Sequence, residues 1–467
     1  MHEFDPIRYE KLMQLQSKGI AAFGSRYEVT HSSKGVMNEF CEEEETQVSV
    51  AGRVVSLREH GKSAFAHLKD RDGKVQVYVR RDIVGDDNFA MFCGLELGDF
   101  IGAFGKTFKT KTGEITVLVE KFVFLSKSLR PMPKEWYGLK DIETRYRQRY
   151  VDLMVNDDVK ETFITRSRVI RMIREFLDKK DFLEVETPMM QSMVGGATAK
   201  PFVTHHNALS MDLYMRIAPE LYLKRLIVGG LERVYELNRN FRNEGISTRH
   251  NPEFTMLEVY QAYADYEDMM RLTEELVVHL CQNIKGSLQI EYQGQMLDFT
   301  PPWRRLTVYE AIENALGIKI NEMQDIEAIA VEQGLSVKEL LDDMLDHKIE
   351  KDLVQPTFVT NFPTILSPLA KSMPNNPELT ERFEFYISSQ EIGNAYSELN
   401  DPIDQRKRFV EQDPDHVDED FVRALEYGMP PCGGLGIGID RLIMMLTDSA
   451  SIRDVILFPQ LRKEKVL

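Results

Sequence analysis

The chain has 467 residues, 43% of them hydrophobic, and a formal net charge of −17. That length exceeds what one hydrophobic core usually serves, so two or more domains are expected, with enough apolar residues for full-sized cores. No apolar run approaches the roughly 20 residues that a membrane span requires, and Met1 to Glu10 lacks a signal-peptide layout. A cytoplasmic protein with no membrane partner is therefore expected. Cys41, Cys93, Cys281 and Cys432 are scattered without metal-ligand spacing, which reads as reduced, small buried side chains with neither disulfides nor zinc. The acidic balance argues against nucleic acid as a partner of the whole surface, but the charge is uneven. Between Thr46 and Arg130, 14 Lys and Arg stand against 10 Asp and Glu, whereas the rest of the chain has 44 against 65. A mildly basic module on an acidic body suits local contact with RNA, although a solvated domain reaches such a balance by chance.

Taken in order, Asp5 to Gly19 reads as an amphipathic helix with Ile7, Leu12 and Leu15 on one side and Gly19 as its stop. The polar stretch ending in Glu42 to Glu45 reads as solvated linker, giving an N-terminal helix and linker over residues 1–45. Over 46–130, strand-like runs occur at Val48 to Val55, Ala64 to Leu68, Val75 to Val79, Phe100 to Phe104 and Ile115 to Phe124. With turn signals at Asp72-Gly73 and Thr112-Gly113 and a helix-like piece near Asn88 to Cys93, they predict a small closed barrel. Residues 131–150 are proline-punctuated and then strongly charged, as an interdomain connector would be.

The remainder, 151–467, reads as a second domain. Val159 to Lys179 is helical, with Phe163, Ile170, Ile173 and Leu177 at three- and four-residue spacing. It leads into a strand, Phe182 to Thr187, halted by Pro188. Gly195, Gly196 and Ala197 form a flexible loop, Tyr214 to Ala218 is strand-like, and a helix follows Pro219 from Glu220 to about Leu231. Two strand-like runs, Arg233 to Leu237 and Phe254 to Tyr260, flank a polar loop carrying Arg242, Glu244, Arg249 and His250. Period-two alternation places Phe254, Met256, Glu258 and Tyr260 on one face, and the guanidinium forks suit a polyanion held over a sheet. Taken singly, each of these residues also fits a charged hairpin tip in solvent. A helix from Tyr266 to Lys285, a hairpin at Gln293-Gly294 and a mostly helical, acidic insertion at about 306–355 follow. In the next dense stretch, Arg382 to Asp401, alternation puts Asn394, Tyr396 and Glu398 on one face, though a solvated acidic strand would read the same way. Finally Gly433, Gly434, Gly436 and Gly438 let a ligand lie flat on a strand, with Arg441 at the start of an apolar helix where an anion is welcome.

The segment FRNEGISTRHNPEFTMLEVY, Phe241 to Tyr260, resembles motif 2 of the class II aminoacyl-tRNA synthetases, and the bacterial lysyl branch of subclass IIb in particular. The helix, strand and proline near Pro188 resemble motif 1, which in that family builds the dimer interface. GGLGIGIDRLIMML from Gly433 resembles motif 3, and the resemblance spans nearly the whole chain. It implies an α+β protein: an OB-fold barrel that binds the anticodon, and a catalytic domain of antiparallel sheet flanked by helices. By the same resemblance Arg242 grips the ATP α-phosphate and the amino acid carboxylate, and Glu244 reads the adenine amino group. Phe254 stacks on adenine, Arg249, His250 and Asn251 lie along the nucleotide, and Arg441 meets the γ-phosphate. It further implies that Glu220, with Gly196 nearby, meets the α-amino group, that Asn394 meets the carboxylate, and that Glu398, Glu258, Tyr260 and Tyr396 surround the lysine side chain. A glutamate in a first helical turn, as Glu220 is, also simply complements the helix dipole. Glu384 and Glu391 are implied as ligands of the Mg2+ that accompanies ATP, and Arg58, Phe65 and Gln76 as the anticodon readers, although Phe65 alone reads equally as a core aromatic. Where relatives place a glutamate on the last barrel strand this chain has Lys121, and strict alternation would turn Glu120 to the opposite face.

The expectation is thus a homodimeric ligase that activates L-lysine with ATP and charges tRNA(Lys). An aspartyl or asparaginyl ligase would share the barrel and the motifs, but a pocket lined by Glu258, Glu398 and Tyr260 would repel aspartate. A protein-lysylating paralogue would not need an anticodon reader, and an inactive RNA-binding regulator would not need Arg242, Glu384, Glu391 and Arg441.

Overall fold

The computed structural model describes residues 5–133, 139–197 and 199–463, which fall into two compact units, Met1–Leu139 and Lys140–Leu467. Residues 134–138 of the expected connector lie outside the described residues.

In the first unit five strands close into a barrel: β1 (Gln47–His60), β2 (Ser63–Lys69), β3 (Lys74–Arg80), β4 (Phe100–Lys109) and β5 (Ile115–Ser126). They are ordered β1-β2-β3-β5-β4, with β4 returning to β1. Alternation drives the closure, since Val48, Val50, Ala64, Ala66, Leu68, Val75, Val77, Val79, Ile101, Val117 and Val119 all turn inward into one core. The helix Asp86–Cys93 adds Phe89 and Phe92 to that core.

Three local expectations need correction. The first helix runs Pro6–Ser17, and its buried residues are Leu12 and Arg8, while Ile7 is exposed. Arg8 docks the helix by donating to the carbonyls of Ser128 and Leu97, both at 3.1 Å. The stretch after it is more than linker, because the helix Ser33–Glu39 sends Val36 into the barrel core. Residues 23–26 and 28–30 and the acidic run to Glu45 are solvated as expected. Strict alternation also fails on β5, where Phe104 pairs with Lys121 but Gly105 pairs with Val119. Glu120 is the extra residue of a bulge, so Glu120 and Lys121 both sit outside the barrel, between the buried Val119 and Phe122. Among the cysteines, Cys281 and Cys432 are buried, whereas Cys41 is exposed and Cys93 half-buried.

The second unit is built on eight strands: β6 (Leu183–Glu184), β7 (Arg233–Phe241), β8 (Glu253–Ala262), β9 (Arg304–Thr307), β10 (Thr357–Thr360), β11 (Arg382–Tyr386), β12 (Glu391–Ser397) and β13 (Cys432–Gly438). Their order is β9-β10-β11-β12-β13-β8-β7-β6. Pairing is antiparallel from β10 through β7 and parallel only at the ends, β9 with β10 and β7 with β6. The strand expected from Phe182 to Thr187 is reduced to the two residues of β6.

Four helices matter for the site: α1 (Asp157–Asp178), α2 (Glu220–Val228), α3 (Tyr266–Lys285) and α4 (Ile439–Thr447). Val169, Ile173 and Leu177 of α1, Met269, Leu276 and Val277 of α3 and Leu442, Ile443 and Leu446 of α4 share one core. From the sheet, Tyr235, Leu257, Val259, Phe383, Phe385, Ala395 and Leu435 complete it. Period two therefore commits one face of every central strand to helices and leaves the opposite face to polar side chains. Phe163 of α1, expected in the apolar stripe, is half-buried instead, 5.3 Å from the Arg149 guanidinium. The insertion carries a separate core around Ile312, Ile326, Leu341 and Met344. No helix among the described residues is long and apolar enough to cross a membrane.

A buried clamp fixes α1 and α4 to the sheet. Asp440 pairs with Arg166 at 2.6 Å and accepts the Thr255 backbone N–H at 2.7 Å, while Arg166 also donates to the Thr255 hydroxyl at 3.0 Å. Asp440→Ala orphans a buried cation and an amide together. It is expected to cost about 3 kcal/mol, read as a lower urea midpoint for this unit. A loss below about 0.5 kcal/mol would remove the clamp from the account.

Candidate active site

Two rows of residues cross the polar face of the sheet. One runs Glu384, Asn394, Gly436, Glu258, Glu236 over β11, β12, β13, β8 and β7; the next runs Arg382, Tyr396, Gly434, Tyr260, Val234. The central strand thus contributes glycines where its neighbours contribute carboxylates, phenols and an amide. The result is a trough floored by backbone, within a cavity of about 950 Å³.

At one end of that cavity lie Gly196, Glu220, Glu258, Tyr260, Asn394 and Tyr396. Gly196 has φ +84°, and a Cβ there would come within 3.2 Å of Ala218 and Glu220 Cβ, so glycine is what lets its loop lie against the start of α2. Tyr260 donates to Glu258 at 3.1 Å, and Asn394 donates to the Tyr396 hydroxyl at 2.6 Å while accepting from Arg382 Nε at 3.1 Å. Burial, reinforced by the Glu220 charge, pushes the Glu258 carboxyl up to about 8. Glu398 is 1% exposed, just past the end of β12, with Ala370 as its bridge partner and its Oε1 over Gly434 of the floor. Burial pushes its carboxyl up to about 8 as well, against the pull of Lys224. Lys224 Nζ is in ion-pair contact with Glu398 Oε2 and lies 2.6 Å from Glu220 Oε1. Yet neither buried Glu398 oxygen receives a well-directed hydrogen bond.

The other end carries Arg242, Glu244, Arg249, His250, Asn251, Phe254, Glu391 and Arg441. The Arg242 guanidinium lies 5.1 Å from the Phe254 ring centre, and its Nε is buried without a partner. Arg249 reaches across to Glu350 of the insertion at 2.7 Å. Arg441 contacts His250 Nε2 at 3.1 Å and the Glu391 carbonyl, and burial together with the Arg441 charge lowers the His250 pKa. Asn251 lines the cavity, but its amide is engaged by the Glu253 carbonyl and the Gln460 N–H. Glu384 is not in the wall: its carboxylate is held by Arg382 at 2.6 Å and by the Tyr386 hydroxyl. Burial, eased by Arg382 and worsened by the Glu391 charge, pushes Glu384 up to about 7. Two carboxylates that repel one another in this way fit a hard divalent cation. No group of three or more His, Cys, Asp or Glu suited to a metal occurs among the described residues, so such an ion would take its remaining ligands from phosphate and water.

On the barrel, Arg58 pairs with Phe65 and Phe65 with Tyr78 across adjacent strands, the two rings stacking at 4.4 Å. Phe65 is half-buried on the outer surface and so is not a core aromatic. Gln76, 9% exposed, bonds Glu114 at 2.7 Å and Thr116 at 2.8 Å.

Residues 141–462 match the family described as tRNA synthetases class II (D, K and N), and residues 48–125 match the OB-fold nucleic acid binding domain. The chain is 54% identical to the lysine–tRNA ligase of Carboxydothermus hydrogenoformans, over 99% of this chain and 98% of that one. It is 51% identical to that of Bacillus subtilis, over 98% and 97%. The chain belongs to the class II tRNA synthetases, in their lysine–tRNA ligase branch. As a class II synthetase it is an aminoacyl-tRNA ligase of α+β fold with an OB-fold barrel.

Sequence reading missed several residues that organise this synthetase site. Lys224 stands four residues after Glu220 on one helix face, and Arg382 stands two before Glu384 on one strand face; both spacings were readable as ion-pair signals. Glu350 had no such signal, since it lies in an insertion to which no chemistry was assigned. The glycine floor generates a direct test. A Cβ on Gly434 would fall 1.9 Å from Glu398 Oε1 and 2.7 Å from Tyr260 Cε1. Gly434→Ala should therefore raise the amino acid KM in ATP–pyrophosphate exchange by about 100-fold, by displacing Glu398 and Tyr260. An unchanged KM would show that neither addresses the substrate.

Proposed function

We propose that the trough activates L-lysine with ATP and that the barrel reads the anticodon of tRNA(Lys). The observation that carries this reading is the buried Glu398 carboxylate at the same end as the Glu258–Tyr260 pair: Lys224 contacts its Oε2 but is shared with Glu220, and its Oε1 has no partner. One buried ammonium cannot balance the cluster, so a further cation is needed to complete it. The ε-ammonium of lysine supplies that charge, with Glu220 at the α-amino group. At the opposite end, Arg242 beside Phe254 suits a phosphate next to a stacked purine.

In this reading the lysine carboxylate attacks the ATP α-phosphorus in line and pyrophosphate leaves. The 3′-OH of the tRNA terminal ribose then takes the lysyl group, releasing AMP. No side chain forms a covalent intermediate. Asn394, its oxygen engaged by Arg382 and one N–H by the Tyr396 hydroxyl, has its second N–H for the lysine carboxylate. Arg242 bridges that carboxylate and the α-phosphate, and Arg441 faces the outer phosphates, so catalysis comes from positioning and fixed charge. Glu384 and Glu391 would hold Mg2+, which neutralises phosphate charge when bound. We further propose a homodimer joined through α1 and β6, whose Leu183 is 51% exposed, and a cytoplasmic location.

Lysine-dependent ATP–pyrophosphate exchange tests the reading. Arg242→Ala should reduce it by about 1,000-fold or more, and near-parental exchange would take Arg242 out of its role. Phe65→Ala should leave exchange unchanged and raise the KM for tRNA about tenfold, the worth of one stacked base; an equal loss in both assays would remove the barrel from anticodon reading.

The pH dependence has a defined sign. Glu398 faces Lys224, Glu220, Glu258, Tyr260, Tyr396 and Cys432, and both Glu258 and Glu398 must be ionised to receive an ammonium. With both pushed up to about 8, kcat/KM for lysine should rise with pH through about 8 and level above it. A profile flat from pH 6.5 to 8.5, on the scale of those shifts, would contradict the assignment.

A further inference from the structure

Lys224 is wholly buried, and nothing in the reaction above uses it. Three carboxylates crowd the amino acid end under almost complete cover: Glu220 at 4%, Glu258 at 5% and Glu398 at 1% exposure. Arg216, a buried guanidinium whose charge acts on Glu258, is already taken by Glu236 at 2.6 Å and Thr187 at 3.2 Å. One turn of α2 carries Lys224 from Glu220 back under the trough, where its ammonium touches Glu220 and Glu398 together. It leaves Glu398 Oε1 over Gly434 without a partner. With all three ionised, three carboxylates less one internal ammonium leave a surplus of two. Lysine brings two ammonium groups, and its carboxylate belongs to Arg242.

We propose that Lys224 is a positioning residue, an internal counter-ion that fixes Glu220 and Glu398 in place and sets the charge of the pocket to match an amino acid bearing two ammonium groups. This rests on the lysine-activation reading and adds to it. The carboxylates recognise the substrate, but the buried lysine decides how many of them can be ionised at once. A neutral residue in its place leaves three buried anions that cannot all ionise, and one takes up a proton.

The test compares Lys224→Met, which keeps the length of the side chain and removes its charge, with Lys224→Arg. In ATP–pyrophosphate exchange, Lys224→Met should raise the lysine KM at pH 7 by about tenfold and move the rising step in kcat/KM up by about one pH unit. Its KM for ATP should stay within about twofold, below what one lost hydrogen bond produces. Lys224→Arg should keep the step at the parental pH. Ligand-free Lys224→Met should also show a Tm deficit against the parent that widens from pH 6 to pH 9. A parental lysine KM with an unmoved step, or an equal rise in the KM for ATP, would overturn the proposal. Should Lys224→Met fail to fold, the pair Lys224→Met, Glu398→Gln decides: recovered folding supports an unpaired charge as the cause, and continued failure overturns it. If the parent shows no lysine-dependent exchange, the activation reading fails, while the pH trend of the Tm deficit still reports on the counter-ion.

Discussion

Ionised groups buried beside a substrate must be paired whether or not the substrate is present, and that requirement shapes this site. An unpaired carboxylate under protein costs several kcal/mol, so most buried acids of the trough have a cation beside them, and Glu258 has the Tyr260 hydroxyl instead. Arg382 lies beside Glu384, Arg216 beside Glu236, and Lys224 between Glu220 and Glu398. Lys224 and Arg216 are buried outside the cavity wall, whereas Arg382 lines it. The cost of keeping acids ready for a ligand is thereby met inside the fold.

The sheet makes such an arrangement possible. Its core face is closed by α1, α3 and α4, and the antiparallel register brings residues from five strands into line on the other face. Because β13 places Gly434 and Gly436 in the middle of those rows, side chains from β8 and β12 converge over bare backbone. A larger residue there would close the trough, as the overlap between a Cβ on Gly434 and Glu398 shows.

Much of this was legible in the sequence because it depends on period two. The shared face of Phe254, Met256, Glu258 and Tyr260, the five barrel strands and the glycine strand all follow from alternation, and the structure agrees with them. What alternation could not show was any contact made by a long side chain or any break in the period. The Glu120 bulge belongs to the second kind. Arg8 and Lys224 belong to the first, since a buried cation leaves no hydrophobic pattern and its partners lie far along the chain. For the same reason alternation could group Glu398 with Asn394 and Tyr396, but its burial against Lys224 was invisible. The synthetase resemblance supplied the chemical roles, and those rest on motif identity rather than on periodicity.

The two ends of the trough differ in how firmly their charges are committed. At the amino acid end the contacts are buried, and burial strengthens electrostatic interactions, so this end discriminates by fixed geometry. At the end expected to hold the nucleotide, the Arg249–Glu350 ion pair and the Arg441–His250 hydrogen bond are partly exposed, where such contacts contribute little. A triphosphate can displace such contacts at small cost and gain charge-assisted bonds in return. A ligand offering only one ammonium, by contrast, would leave a buried carboxylate unpaired. On the reading proposed, selectivity thus resides in the end that cannot rearrange, while the weak contacts at the other end keep the arginines in place until phosphate arrives.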